Sequence, residues 1–130
     1  MSMELTILAW TVVLAFAQLA LVAAFRNREV GLQYNMSARD AAPPPMGKIT
    51  ARLQRAFANL METLPLFAIA VLVAHGAGRE NASTLLGAQL YLGARVLYVP
   101  LYALGVPLLR SLVWGVAVAG IVLVLKPLLM

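Results

Sequence analysis

The stretch LTILAWTVVLAFAQLALVAAF, Leu5 to Phe25, runs 21 residues without a charge. At about 1.5 Å of rise per residue a helix of that length reaches roughly 31 Å, enough to cross the hydrocarbon core of a bilayer. A cleaved signal peptide is the competing reading. It fits less well, because the flank Met1-Ser2-Met3-Glu4 has no basic residue and the apolar run exceeds the usual h-region. The rest of the chain agrees with a membrane setting. Of 130 residues, 62% are apolar and 12% charged, whereas a soluble domain carries about 45–50% and about 25%. Lipid is the solvent such a surface suits.

Three further apolar segments follow, so the sequence predicts an all-α integral membrane protein, a bundle of four transmembrane helices in a single domain, 1–130. The helices are expected at about 5–25, 52–75, 83–104 and 108–127, with a loop over 26–51. That loop holds Arg26, Arg28, Glu29, Arg39, Asp40, the run Pro43-Pro44-Pro45 and Gly47, a composition that opposes a continuous helix. Pro65 falls inside the second helix and is expected to kink it. Gly105-Val106-Pro107 makes the last turn, and Gly115 and Gly120 suit close helix packing.

Six basic residues, Arg26, Arg28, Arg39, Lys48, Arg52 and Arg55, flank or lie in the first loop, against Arg79 alone on the second. The positive-inside rule places the first loop in the cytoplasm and, with four crossings, both termini on the opposite side. Lys126 dissents mildly, as an end anchor could. The net charge of +5 therefore answers to membrane topology and anionic lipid, and nucleic-acid binding is not expected. Without cysteine there is no disulfide and no protein thiol to act as a nucleophile. His75 is the sole histidine, so no metal site is expected, and it reads as an interfacial, solvated residue. Gln18 reads as a hydrogen-bonding link between helices, and Trp10 and Trp114 as packing or interface anchors.

Two polar stripes interrupt the apolar pattern. Arg52, Arg55, Asn59 and Glu62 are spaced three, four and three apart, and Tyr91, Arg95, Tyr98 and Tyr102 four, three and four, so each set shares one helix face. An ionised residue deep in a bilayer costs about 2.5–3.5 kcal/mol even on a lenient scale, and Glu62 and Arg95 must be paired or hydrated. A Glu62–Arg ion pair that only fixes helix register is one account. The surplus of arginine, amide and phenol donors over one carboxylate favours the other, an anionic ligand held by charge-assisted hydrogen bonds. A proton-coupled multidrug exporter would need an acidic site poor in arginine, the reverse of this pattern.

The segment Arg52-Leu-Gln-Arg55-Ala-Phe-Ala-Asn59-Leu-Met-Glu62-Thr-Leu-Pro65-Leu-Phe67 resembles the signature of the MAPEG family, the membrane-associated proteins of eicosanoid and glutathione metabolism. Arg95-Val-Leu-Tyr98-Val-Pro-Leu-Tyr102 is similar to the family's third-helix pattern, and Gly31-Leu-Gln-Tyr34 to part of the first loop in its prostaglandin E synthases. The resemblance, which extends over nearly the whole chain, implies a homotrimer with glutathione bound at subunit interfaces. It implies binding roles for Arg52, Arg55, Asn59, Glu62, Tyr91, Arg95, Tyr98 and Tyr102, with Glu62 near the tripeptide's amino group. Arg26 or Arg28 would serve as the arginine that closes the first helix. Arg110 would activate the thiol, with Ser111 beside it. Ala58 and Tyr98 depart from the prostaglandin E synthases, which carry Arg and His there, and Tyr98 is more like leukotriene C synthase and the microsomal glutathione transferases. The implied activity is a glutathione transferase or peroxidase of a bacterial inner membrane, acting on a hydrophobic electrophile or lipid hydroperoxide, as in detoxification. The alternative is a non-enzymatic module that binds membrane lipid or glutathione.

Overall fold

The computed structural model describes all 130 residues. The chain forms α1 (Met3–Val30), the short α2 (Leu32–Met36), α3 (Lys48–Gly76), α4 (Ala82–Ala103) and α5 (Pro107–Leu129), with no strands. The α1, α3 and α5 helices are long and apolar enough to cross a membrane. Helix α4 is less apolar, since Gln89, Tyr91, Arg95, Tyr98 and Tyr102 lie within it. Only 24 of the 130 residues are buried within the chain, while Trp10, Phe16, Leu66, Ile69, Leu97 and Leu112 lie on its outside. A surface this apolar is unfit for water and suited to lipid and to other membrane helices.

Helix boundaries differ most from expectation around the first loop. The reading of 26–51 as one loop is corrected at both ends: α1 continues to Val30, and α3 begins at Lys48. Charges mark where the apolar run stops, but Arg and Glu are good helix formers, and Arg26 pairs with Glu29 one turn on, at 2.9 Å. Gly31, at φ 86°, ends α1 in a conformation that side-chain-bearing residues rarely adopt. The proline run does keep the segment before Lys48 free of helix.

The start of α3 has a remote cap. Gly47 at its N-cap has no side chain to accept the orphan N–H groups, and Glu29 of α1 supplies the acceptor instead. Its Oε2 receives the Gly47 N–H at 2.8 Å and the Thr50 hydroxyl at 2.9 Å. The carboxylate also sits at the positive pole of the helix, which stabilises it there. One side chain thereby binds the end of α1 to the start of α3.

The α4 helix opens on a capping box between Asn81 and Thr84, and α5 on Pro107 in its first turn, where the missing N–H costs nothing. Helices α3 and α4 run on through Pro65 and Pro100, and α5 continues past Pro127. The most extensive helix contact is that of α4 with α5. Gly87 and Gly120 let the two backbones come close: a Cβ on either would run into the carbonyl oxygen of the other. Gly115 has open space beside it and does not serve packing within the chain. The core, which includes Leu60, Phe67, Val71, Ala88, Tyr91 and Val124, lies where α3, α4 and α5 meet, with Ile7 of α1 completing it.

Candidate functional site at the basic end of the bundle

The ends of the bundle differ in chemistry. Both termini lie at one end, where Glu4 meets Thr84 and Arg79 donates to the Pro127 carbonyl. At the other, basic end a cleft of about 270 Å³ opens between α3, α4 and α5, lined by Asn59, Tyr98, Tyr102, Arg110, Ser111 and Trp114. The two polar stripes converge there with the start of α5.

Arg95 is 1% exposed. Its Nη1 donates to Asn59 Oδ1 at 2.7 Å and its Nη2 to the Ala56 carbonyl at 3.4 Å, while its guanidinium lies 4.3 Å from the Tyr98 ring centre. A buried guanidinium is tolerated when its charge meets π-faces and acceptors. Arg95 thus orients Asn59 and backs Tyr98, a positioning task. The Glu62–Arg ion pair, the alternative account of the stripes, is not made: the arginine ion pair of the chain is Arg26–Glu29, and His75 meets Glu80 at 3.2 Å.

Glu62 lies one turn beyond Asn59 on an exposed flank of α3. Arg55 is also exposed; its Nε donates to the Tyr102 hydroxyl at 3.2 Å. Arg110 lies over the Tyr102 ring, with its guanidinium 4.6 Å from the ring centre. It sits in the first turn of α5, where the positive pole of the helix opposes a cation. No acidic side chain neutralises it. The arrangement concentrates positive charge at the cleft. Ser111 Oγ donates to the Pro107 carbonyl at 3.1 Å, and this leaves its lone pairs toward other partners.

Arg95, Arg55 and Glu62 do not themselves line the cleft, and the remaining candidates also fall outside it. Tyr91 is fully buried, stacked on Phe67 with ring centres 4.1 Å apart, and its hydroxyl is 2.8 Å from that of Thr63. A binding role for it is corrected to a packing role, because periodicity gives a face but not the depth along it. Arg52 donates to the Ala103 carbonyl at 3.2 Å and lies against Gly105, so it braces the α4–α5 turn. Arg26 is taken up by Glu29 and the Pro44 carbonyl, and Arg28 lies over Phe25; neither reaches the cleft of its own chain. Gln18 is buried without a hydrogen-bond partner, so the link expected of it is not made within the chain. Trp114, read from sequence as a packing or interface anchor, also forms a wall of the cleft. Its spacing of four from Arg110 was the signal, since both fall on one face of α5.

Fold and site together define a polytopic all-α membrane protein with a cationic, phenol-lined cleft at one end of its bundle. The MAPEG family model matches residues 5–129, and the chain belongs to that family. No curated protein and no solved structure matches it.

Proposed function

We propose that this protein is a glutathione-dependent transferase or peroxidase of the membrane, built from four membrane-spanning helices and active as a homotrimer. The observation that carries the reading is the cleft, which Arg110 lines and which Arg55 borders through the Tyr102 hydroxyl, two cationic charges that no carboxylate of the chain consumes. Glutathione has two carboxylates, one ammonium and one thiol, and two arginines with one free glutamate form the complementary set. It supplies the sulfur nucleophile that a chain without cysteine lacks.

In this reading Arg55 and Asn59 hold the tripeptide's carboxylate and amide groups, Glu62 its ammonium group, and Tyr98 and Tyr102 wall the cleft. Arg110 stabilises negative charge at the sulfur. An ordinary thiol pKa near 8.5 leaves only a few per cent ionised at neutral pH, and an adjacent guanidinium raises that fraction. Trp114 gives the hydrophobic reactant an apolar wall on the side toward the bilayer.

Two observations support assembly from several copies. The cleft of one chain, about 270 Å³, is smaller than the roughly 300–1,000 Å³ of ligand pockets. Glu62 also lies on an exposed flank among Met61, Leu66 and Ile69, a costly place for a carboxylate facing lipid. A second copy against α3 would both enlarge the cleft and shield Glu62. In the cell the basic end would face the cytoplasm of a bacterial inner membrane, where glutathione is available.

Calorimetric titration of the detergent-purified protein with glutathione tests the reading. Saturable binding that weakens in Glu62→Gln and Arg55→Ala supports it. A protein that binds no glutathione but retains lipid would be a lipid-binding module instead.

A further inference from the structure

We infer that a second site, separate from the cleft, holds an anionic membrane phospholipid between α1, α2 and α3. A cavity of about 530 Å³ lies at the basic end under the segment that joins α1 to α3. No residue lines both this cavity and the cleft. Its polar side presents Arg26, Arg39 and Gln54, and no Asp or Glu lines it.

The two cations are differently placed. Arg26 already shares its charge with Glu29. Arg39 has no acidic partner; its Nε and Nη2 donate to the Asn35 carbonyl at 3.2 and 2.9 Å. A carbonyl satisfies the donors but leaves the charge whole, and Nη1 remains without a partner in the chain. That charge, over a cavity free of carboxylates, suits a phosphate.

The apolar side of the cavity identifies the rest of the ligand. Leu19 lines it and also lines a purely apolar groove of about 180 Å³ that continues along α1 and α3 between Phe16, Phe57 and Met61. Phe16 and Met61 lie on the outside of the chain, so the groove opens to the acyl region of the bilayer. A soluble anion would use the cationic end and leave the groove bare. A phospholipid uses both, with its phosphate at Arg39 and one chain along Leu19 toward Phe57. Basic pockets between membrane helices bind anionic headgroups by this combination of charge and depth. Leu32 and Met36, exposed on one face of α2, rest at the same level as interfacial anchors.

The test uses the full-length protein, delipidated in detergent, with native mass spectrometry for retained lipid and the thermal midpoint as a second readout. Phosphatidylglycerol should be retained and should raise the midpoint. Phosphatidylcholine with the same acyl chains, and glycerol phosphate without chains, should do neither. Arg39→Gln should lower phosphatidylglycerol occupancy about fivefold, the factor that one cation near an anionic lipid carries, and Arg39→Lys should keep most of it. Arg79→Gln, at the other end of the bundle, should leave phosphatidylglycerol occupancy unchanged. Far-ultraviolet circular dichroism and the elution volume confirm that each variant is folded. Equal retention of the two lipids, stabilisation by glycerol phosphate alone, or undiminished occupancy in folded Arg39→Gln would each overturn the assignment.

Discussion

The two ends of this bundle use similar polar side chains to opposite ends. Where the termini lie, the polar groups are spent on one another. Ser2 Oγ donates to Glu80 Oε2 at 2.8 Å, His75 pairs with Glu80 at 3.2 Å, and Thr84 Oγ1 donates to the buried Glu4 at 2.6 Å. At the basic end Arg110 faces an aromatic ring and not a carboxylate, and Glu62 has no partner in the chain. A closed network holds helices together; charges left unneutralised in a membrane protein await a ligand or a partner subunit. His75 belongs to the closed end, half-exposed as its sequence context suggested.

The largest effect is expected at Arg110. If it stabilises developing charge on the sulfur, Arg110→Ala should lower turnover of a model electrophile by about 100-fold, the usual cost of removing one such donor. The thiolate absorbance of the glutathione complex should fall with it. Unchanged absorbance and turnover would assign the activating role elsewhere and leave the basic end as a binding surface only.

Next come the residues proposed to hold the ligand. Arg55→Ala and Glu62→Gln should each weaken glutathione by about tenfold or more, since a hydrogen bond to a charged group is worth about 1.5–3 kcal/mol. Unaltered affinity in both would erase the distinction between the ends.

Thr84→Val probes the closed end with a near-isosteric change. It strips a donor from buried Glu4 and breaks the capping box of α4, so stability in detergent should fall by about 1–3 kcal/mol. Glutathione affinity should stay at the wild-type value. A coupled loss of affinity would show that the network of this end extends to the cleft.

The smallest effect belongs to Tyr91→Phe. It keeps the stack on Phe67 and loses the Thr63 hydrogen bond, leaving Thr63 to its bond with the Leu60 carbonyl. About 1 kcal/mol of stability should be lost with no change in glutathione affinity, measured by denaturant titration beside calorimetry. A binding defect would restore Tyr91 to the site.

Much of this protein is determined by local sequence. An uncharged run of the length of Leu5 to Phe25 has few uses other than crossing a membrane, because its backbone groups are satisfied within the helix and its side chains have no affinity for water. The spacing of Arg55, Asn59 and Glu62, and of Arg95, Tyr98 and Tyr102, likewise puts each set on one face whatever surrounds it, and the family signature lies in those residues. The order of the helices and the basic character of one end also follow from the chain alone.

Tertiary structure decided which of these polar groups is free. Tyr91 and Tyr102 share a stripe, yet packing against Phe67 buries one and the turn before α5 leaves the other beside Arg55 and Arg110. Arg95 and Glu62 are complementary in charge, but Asn59 and Tyr98 take the guanidinium, and the carboxylate stays outside. Trp114 joined the site, and Glu29 became the cap of α3, through contacts between segments distant in the chain. Helical periodicity assigns a direction around an axis. The depth of a side chain, and the neighbour that takes its hydrogen bonds, depend on how close the adjoining helix comes, and that was settled by contacts such as Gly87 against Gly120.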